Sequence, residues 1–206
     1  MGIKSGITKG TPKKIPFGAG VYFSGIDYNE AVAPTEDAVK AAIIGATKDG
    51  GSLAITPEFF DPELDGATVK VAELLQKIGE TAQMETSIAE LTPELVAKQV
   101  IGTIGETTDK NYNVITSTEL GEGHFYNGFG FYGEHLDGRP MIILFKKALC
   151  TSGLAMEPKN KTGSVFKGTF ECCSDIEYGT TKLPYAIFIR KLEGWVPTKP
   201  EEVTEA

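Results

Sequence analysis

Histidine is nearly missing from this sequence, with two among 206 residues. That is too few for a His-rich metal or acid–base site. Cysteine is scarce as well. Cys150, Cys172 and Cys173 form an odd set with no framework spacing. Adjacent strand residues point to opposite faces, so Cys172 and Cys173 are poor partners for each other. A reducing compartment during folding is the simplest reading. Long apolar runs are absent. Ala41–Ile44 and Met141–Phe145 are the longest strongly apolar ones, far short of the ~20 residues of a membrane-spanning helix. The basic N-terminal segment lacks the apolar stretch of a secretory signal. Gly6 stands where a myristoylation motif wants Ser or Thr. Positive charge is in deficit: 20 Lys and Arg against 28 Asp and Glu leave −8 and a pI near 4.9. A phosphate-gripping nucleic-acid binder is normally basic, so the body of the chain is not one.

What is present is ordinary for a globular chain, with 41% hydrophobic and 23% charged residues. That composition excludes wholesale disorder, and a chain this long can bury about 70% of its unfolded surface. Glycine is enriched, at 24 residues. The organisation reads as an N-terminal arm over residues 1–17, a single β domain over 18–192 and a C-terminal tail over 193–206. The arm holds Lys4, Lys9, Lys13 and Lys14 and no acid. The tail sets Glu193, Glu201, Glu202 and Glu205 against Lys199. A basic arm on an acidic body suits a contact with another copy, and a solvated tail is the plainer alternative.

The hydrophobic pattern predicts eight to ten strands and one helix, without a βαβ rhythm or an internal repeat. Strands are expected at Gly20–Ile26, Ala41–Thr47 and Ser52–Phe59, with a loop over 27–38 and a hairpin turn at Lys48-Asp49-Gly50-Gly51. Thr68–Ile78 and Glu80–Glu90 read as two strands broken at Gly79. In the second, Thr81, Gln83, Glu85 and Ser87 alternate with Ala82, Met84, Thr86 and Ile88, the mark of a half-solvated sheet. Thr92-Pro93-Glu94 opens a helix with an N-cap, a proline at its first position and an acid on its dipole. Val96, Val100 and Ile104, joined by Ala97 and Ile101, form its stripe, and Gly102 or Gly105 is its stop. Tyr112–Thr118, Met141–Leu149, Val165–Cys172 and Tyr185–Lys191 complete the strands. In Val165–Cys172, Phe166, Phe170 and Cys172 alternate with Lys167, Thr169 and Glu171.

Chemical motifs are weak. Gly45–Ser52 misses a phosphate-binding loop, because Gly51 occupies the place of its lysine. Gly128-Phe129-Gly130-Phe131-Tyr132-Gly133 matches a dinucleotide fingerprint in letters. Aromatics fill its variable positions and Pro140 follows closely, so it reads as an aromatic–glycine strand or loop. His124, Glu134 and His135 follow no ligand spacing and read as surface-loop residues. No Ser-His-Asp, Cys-His or HExxH arrangement is found. The expectation is a protein that is not an enzyme and holds no cofactor and no metal.

Several segments in order resemble a known family. Ile15-Pro16-Phe17-Gly18-Ala19-Gly20-Val21-Tyr22-Phe23, Ile44–Gly51, Ala54-Ile55-Thr56-Pro57-Glu58-Phe59, Glu63–Ala67 with Val69-Lys70, and Glu90-Leu91-Thr92-Pro93-Glu94-Leu95 carry the likeness. Together they are similar to major tail tube proteins of long-tailed bacteriophages and prophages of Gram-positive hosts. The resemblance covers residues 15–105. It implies a mainly β fold, a β-sandwich or half-barrel with one flanking helix. It also implies six copies in a ring, rings stacked head to tail, and a tube through which DNA passes into the host without specific binding. Implied partners are the chain itself, a tape measure protein, and tail tip or baseplate and terminator proteins, with no membrane. The implied location is the virion tail, and the host cytoplasm before assembly. Candidate stacking residues are Lys4, Lys9, Lys13, Lys14, Phe59, Phe60, Asp61, Glu63, Leu64 and Asp65. Candidate lumen-facing residues are Gln83, Glu85, Ser87, Lys167, Thr169 and Glu171; an outer solvated face is the alternative. Two other readings stay open: the inner tube of a contractile injection device, and a monomeric β-sandwich that binds carbohydrate or receptor. Phe125, Tyr126, Phe129, Phe131 and Tyr132 would be the aromatic platform of the latter.

Overall fold

A computed structural model describes residues 11–62, 69–108, 110–156 and 163–193. The fold is mainly β, as expected from the alternating strands. A large antiparallel sheet runs in the order β1 (Pro16–Phe23), β6 (Tyr126–His135), β7 (Pro140–Cys150), β9 (Phe166–Cys172), β3 (Gln76–Ile88) and β2 (Thr47–Phe60). Two strands lie off this path: β10 (Tyr185–Ile189) pairs with β7, and β8 (Ala155–Met156) pairs with β9. A separate ribbon joins β4 (Gly102–Gly105) to β5 (Val114–Ser117). Two short helices flank the sheet: α1 (Glu36–Ala41) and α2 (Pro93–Gln99).

Aromatic rings fill the inside of the curled sheet. Phe129 of β6 stacks on Phe170 of β9, with centroids 4.3 Å apart, and Tyr126 meets Phe170 edge-on at 5.2 Å. Aromatic pairs of this geometry add about 0.5–1.5 kcal/mol beyond their buried area. The glycines make room for them: Gly130 lies under the Phe23 ring, and Gly20 and Gly133 lie under Phe131. The sheet curls far enough that Tyr22 of β1 reaches the opposite end of the strand order. Its hydroxyl donates to the Glu85 carbonyl of β3 at 3.0 Å and sits over Gly51 of β2. This is a half-barrel, drawn together at Tyr22 and open below. The opening is an apolar cleft of about 300 Å³ between Leu53 and Met84 on one side and Phe131, Met141, Ile143 and Ile187 on the other.

Local expectations met mixed outcomes. Thr92 caps α2, its side chain accepting from the Leu95 N–H at 3.2 Å, and Pro93 opens the helix. The helix ends earlier than read, at Gln99. Val100 is its exposed C-cap, Ile101 takes a φ of 51° and Gly102 begins β4. The buried positions are Leu95, Ala97 and Gln99; of the expected stripe Ala97 is buried and Val96 and Ile101 half-buried, while Val100 and Ile104 are exposed. The segment read as a loop over 27–38 contains the start of α1, capped by Thr35, and Ala41–Thr47 contributes one isolated bridge at Ile43. Lys48–Gly50 is no hairpin turn. Asp49 and Gly50 do take positive φ, but inside a continuous β2, where three residues bulge between the pairs Thr47–Ile88 and Gly51–Thr86. Gly79 does not break its strand either; β3 runs through it opposite Glu58. Strand β1 starts at Pro16, within the segment read as arm.

Gly128 ties the core to a loop. Its φ is +56°, and an added Cβ would fall on the Ile26 carbonyl and backbone. Gly128→Ala therefore meets both strain and a clash with main chain. It is expected to cost about 2–4 kcal/mol in urea unfolding, a magnitude reserved for core and backbone-strain mutations. A loss below half a kcal/mol would mean that the 24–28 segment is not held against β6 as seen.

Candidate functional site

The six residues singled out for one polar face come together. Gln83 lies opposite Glu171, Glu85 opposite Thr169, and Ser87 opposite Lys167, as cross-strand pairs of β3 and β9. Directly opposed residues share a face. The intervening residues Ala82, Met84, Thr86, Ile88, Phe166, Phe170 and Cys172 are buried on the other side. Strand β2 extends this surface, with Ser52 opposite Glu85 and its hydroxyl donating to the Glu85 carboxylate at 3.1 Å. Lys167 and Glu85 stay exposed, while Gln83, Ser87, Thr169 and Glu171 are half-buried. The result is a polar, mixed-charge wall on one side of an apolar core.

The second feature is the ribbon of β2 and β3. Strand β9 pairs with β3 only over residues 83–88. Below that point neither β2 nor the first half of β3 has another ladder partner among the described residues. The tip is apolar on both sides: Phe59 is 59% exposed, Phe60 50% and Ile78 65%. Consecutive strand residues face opposite ways, so the two rings project from opposite sides of the ribbon, and both stay exposed among the described residues. Asp61 is half-buried beside the tip. Lys13 and Lys14 are exposed on a short 3-10 turn that leads into β1. Lys4, Lys9, Glu63, Leu64 and Asp65 lie outside the described residues.

Glu80 ties the root of the ribbon to β10. Lys77 pairs with Glu80 Oε2 at 2.9 Å, and the Tyr185 hydroxyl of β10 donates to Glu80 Oε1 at 3.0 Å. The lysine contact and the tyrosine hydrogen bond outweigh burial and hold the Glu80 carboxyl below its ordinary range.

The surface-loop reading of the histidines and the aromatic-platform reading do not hold. His124 and His135 are both buried, not surface-loop residues. His124 lies in a short 3-10 turn (Glu122–His124) just before β6, and His135 is the last residue of that strand. His124 Nδ1 accepts from the Gly121 N–H at 2.9 Å, which leaves Nε2 to donate to the Gly102 carbonyl at 3.3 Å. Among the described residues, no group of three or more His, Cys, Asp or Glu converges as a metal site. The five aromatics proposed as a platform do not form one. Tyr126 and Phe129 are core, Phe131 packs on the same core, Tyr132 packs on the opposite cluster around Leu144, and Phe125 is left half-buried with the Lys147 ammonium over its ring. Two features escaped sequence reasoning. The unpaired outer edge of β2 is invisible without strand order. Arg139, a single buried arginine at a turn, carries no motif.

No protein-family model matches this chain, and no curated protein matches it. Among solved structures, it is similar to a chain of the virion of a native gene transfer agent particle. The identity is 8% and the TM-score 0.38, over 82% of this chain and 95% of that one.

Cys172 is buried among core residues. Burial first, then neighbouring acidic groups, push the Cys172 thiol up to about 12. Since the thiolate is the reactive form, a disulfide reagent at pH 8 is expected to leave Cys172 unmodified in the native protein. In denaturant all three thiols should react. Peptide mapping that found Cys172 labelled rapidly under native conditions would contradict its burial.

Proposed function

We propose that this chain is a structural subunit that closes into rings, six copies in the family pattern, and stacks them into the tube of a phage-type tail. The observation that carries the reading is the β2–β3 ribbon: a 14-residue edge strand with no outer partner among the described residues and a doubly apolar tip. Exposed strand edges are an aggregation hazard that soluble monomers blunt or cover. Closing the sheets of several copies around an axis removes them. Head-to-tail contacts run open along a stack, which suits an apolar tip that projects from one end.

The polar wall of β3 and β9 is the surface assigned to the lumen. DNA must slide through a tail tube, and an acidic chain leaves few phosphate contacts to break. The ordered sequence segments at residues 15–105 support the same family. The contractile-device tube shares this architecture and is separated from it by a neighbouring sheath protein. The glycan-binding monomer loses its aromatic platform to the core.

The test is electron microscopy of the purified protein, dilute and then concentrated. Rings or hollow tubes are expected. Phe59→Ser/Phe60→Ser should leave stability within about 0.5 kcal/mol per site, as for surface positions, yet stop stacking. Dispersed monomers that also ignore an added tail-tip initiator would sink the tube reading.

For the lumen, tubes of Glu85→Lys are expected to retain more DNA than wild type at low salt and to release it as salt rises. Equal retention would remove Glu85 from the lumen.

A further inference from the structure

The segments that enter and leave the domain meet at one side chain. Arg139 lies at the end of the turn that joins β6 to β7, and only 4% of it is exposed. Its guanidinium donates in three directions. Nε gives to the Asp137 carboxylate at 2.7 Å and Nη1 to the Arg190 carbonyl at 2.7 Å. Nη2 gives to the Lys13 carbonyl. Those carbonyls lie 51 and 126 positions away in sequence. The main chain reinforces both junctions. The Leu136 N–H donates to the Ile15 carbonyl at 3.0 Å, and the Arg190 N–H to the Pro140 carbonyl at 3.3 Å.

The chemistry favours an arginine here. A guanidinium stays charged at every working pH and must be satisfied once buried. Its planar fork reaches several acceptors at fixed angles, which a lysine ammonium does not reproduce. Burial alone would raise the Asp137 carboxyl, but two hydrogen bonds and the charge of Arg139 outweigh it and hold it low. Asp137 thus stays an anion that orients the fork. The other two acceptors are main-chain carbonyls, so the contact reads where the backbone runs, whatever side chains Lys13 and Arg190 carry.

We propose that Arg139 is a positioning residue that clips together the points where the basic N-terminal and acidic C-terminal segments leave the domain. The clip holds the main chain at Lys13 and at Arg190 beside the β6–β7 turn, and so fixes two points of the surface that a neighbouring copy would meet. The effect on assembly rests on the tube reading; the clip itself does not.

Limited trypsin digestion of the full chain separates the two. Cleavage is followed by mass spectrometry at Lys13, Lys14, Arg190 and Lys191, with Lys146 and Lys167 of the central strands as controls. Arg139→Gln is expected to raise cleavage at both outer pairs at least tenfold, with the control sites and the circular dichroism unchanged. Arg139→Lys keeps the charge but not the fork and should behave like Arg139→Gln. Asp137→Asn leaves the arginine in place and should raise both outer pairs by a smaller factor, which keeps the proposal testable if Arg139→Gln fails to fold. No rise, a rise at one end only, or an equal rise at all six sites would overturn the clip. At assembling concentration, folded Arg139→Gln should stay dispersed where wild type forms rings or tubes. Tubes as abundant as wild type would overturn the positioning role. If wild type itself never assembles, the tube reading fails and the proteolysis alone decides the clip.

Discussion

Two strands share one place in the sheet, and most of the molecule's shape follows from that. One edge of β7 is taken by β9 over residues 148–150 and by β10 over residues 141–145. Because β9 turns away after Cys172, it reaches only the last six residues of β3. The first half of β3 and its partner β2 are left to extend as a two-stranded ribbon. A ribbon of two strands is marginal in water without packing on at least one face. Here Ala82, Met84 and Ile55 anchor its root in the core, and Glu80 is tied to Tyr185 of β10. The tip beyond them has no further ladder partner among the described residues, and the apolar cleft lies between Leu53 and Met84 of the ribbon's root and Ile187 of β10.

The exposed apolar surface fits this division. Buried rings such as Phe129, Phe145 and Phe170 have no accessible area, whereas Phe59 and Phe60 keep half or more of theirs. Scattered exposed apolar residues are normal on any protein. Two adjacent phenylalanines on opposite faces of one tip, beside an exposed Ile78, form a concentrated patch of the kind that marks an interaction site. On the polar wall, the exposed and half-buried side chains alternate with an inner set that is apolar but for Thr86, so the same two strands separate a wet face from a dry one. The functional reading needs both: a patch that associates and a wall that does not bind.

Legibility in the sequence tracked how local each cause was. The polar wall was legible because strand alternation is local, and the two alternating runs then fell into register as Gln83–Glu171, Glu85–Thr169 and Ser87–Lys167. The α2 entry was legible from Thr92 and Pro93 alone. The helix exit was not, because Gln99 is buried by β9 and the small sheet rather than by any periodic stripe. Asp49-Gly50 announced positive φ correctly, but whether such a pair makes a turn or a bulge depends on the partner strand. Gly79 failed for a similar reason: within the ribbon it sits opposite Glu58 and needs no turn. The histidines were misjudged because burial by β-sheet ends leaves no pattern in a lone residue. The glycine excess was read as turn chemistry in part, yet Gly20, Gly130 and Gly133 serve as floor space for aromatic rings.

An edge strand as long as β2 needs limits if it is to join one neighbour rather than any. The limits are built into its two ends. At one end the Lys48–Gly50 bulge, with Asp49 and Gly50 at φ of 66° and 74°, takes the backbone out of the ladder. At the other, Pro57 has no N–H to give, which is why a proline belongs in an edge strand, and a second irregularity follows between Glu58 and Phe59. Between them Gly51–Thr56 pairs regularly with β3, a stretch of about 20 Å, the length of an ordinary strand. Bulges pin register because a shifted partner would have to cross them. A neighbour can therefore add to this edge over one short stretch and in few registers. Aggregation tolerates any register, whereas a closed ring requires the same angle at every contact. The interrupted edge suits the ring.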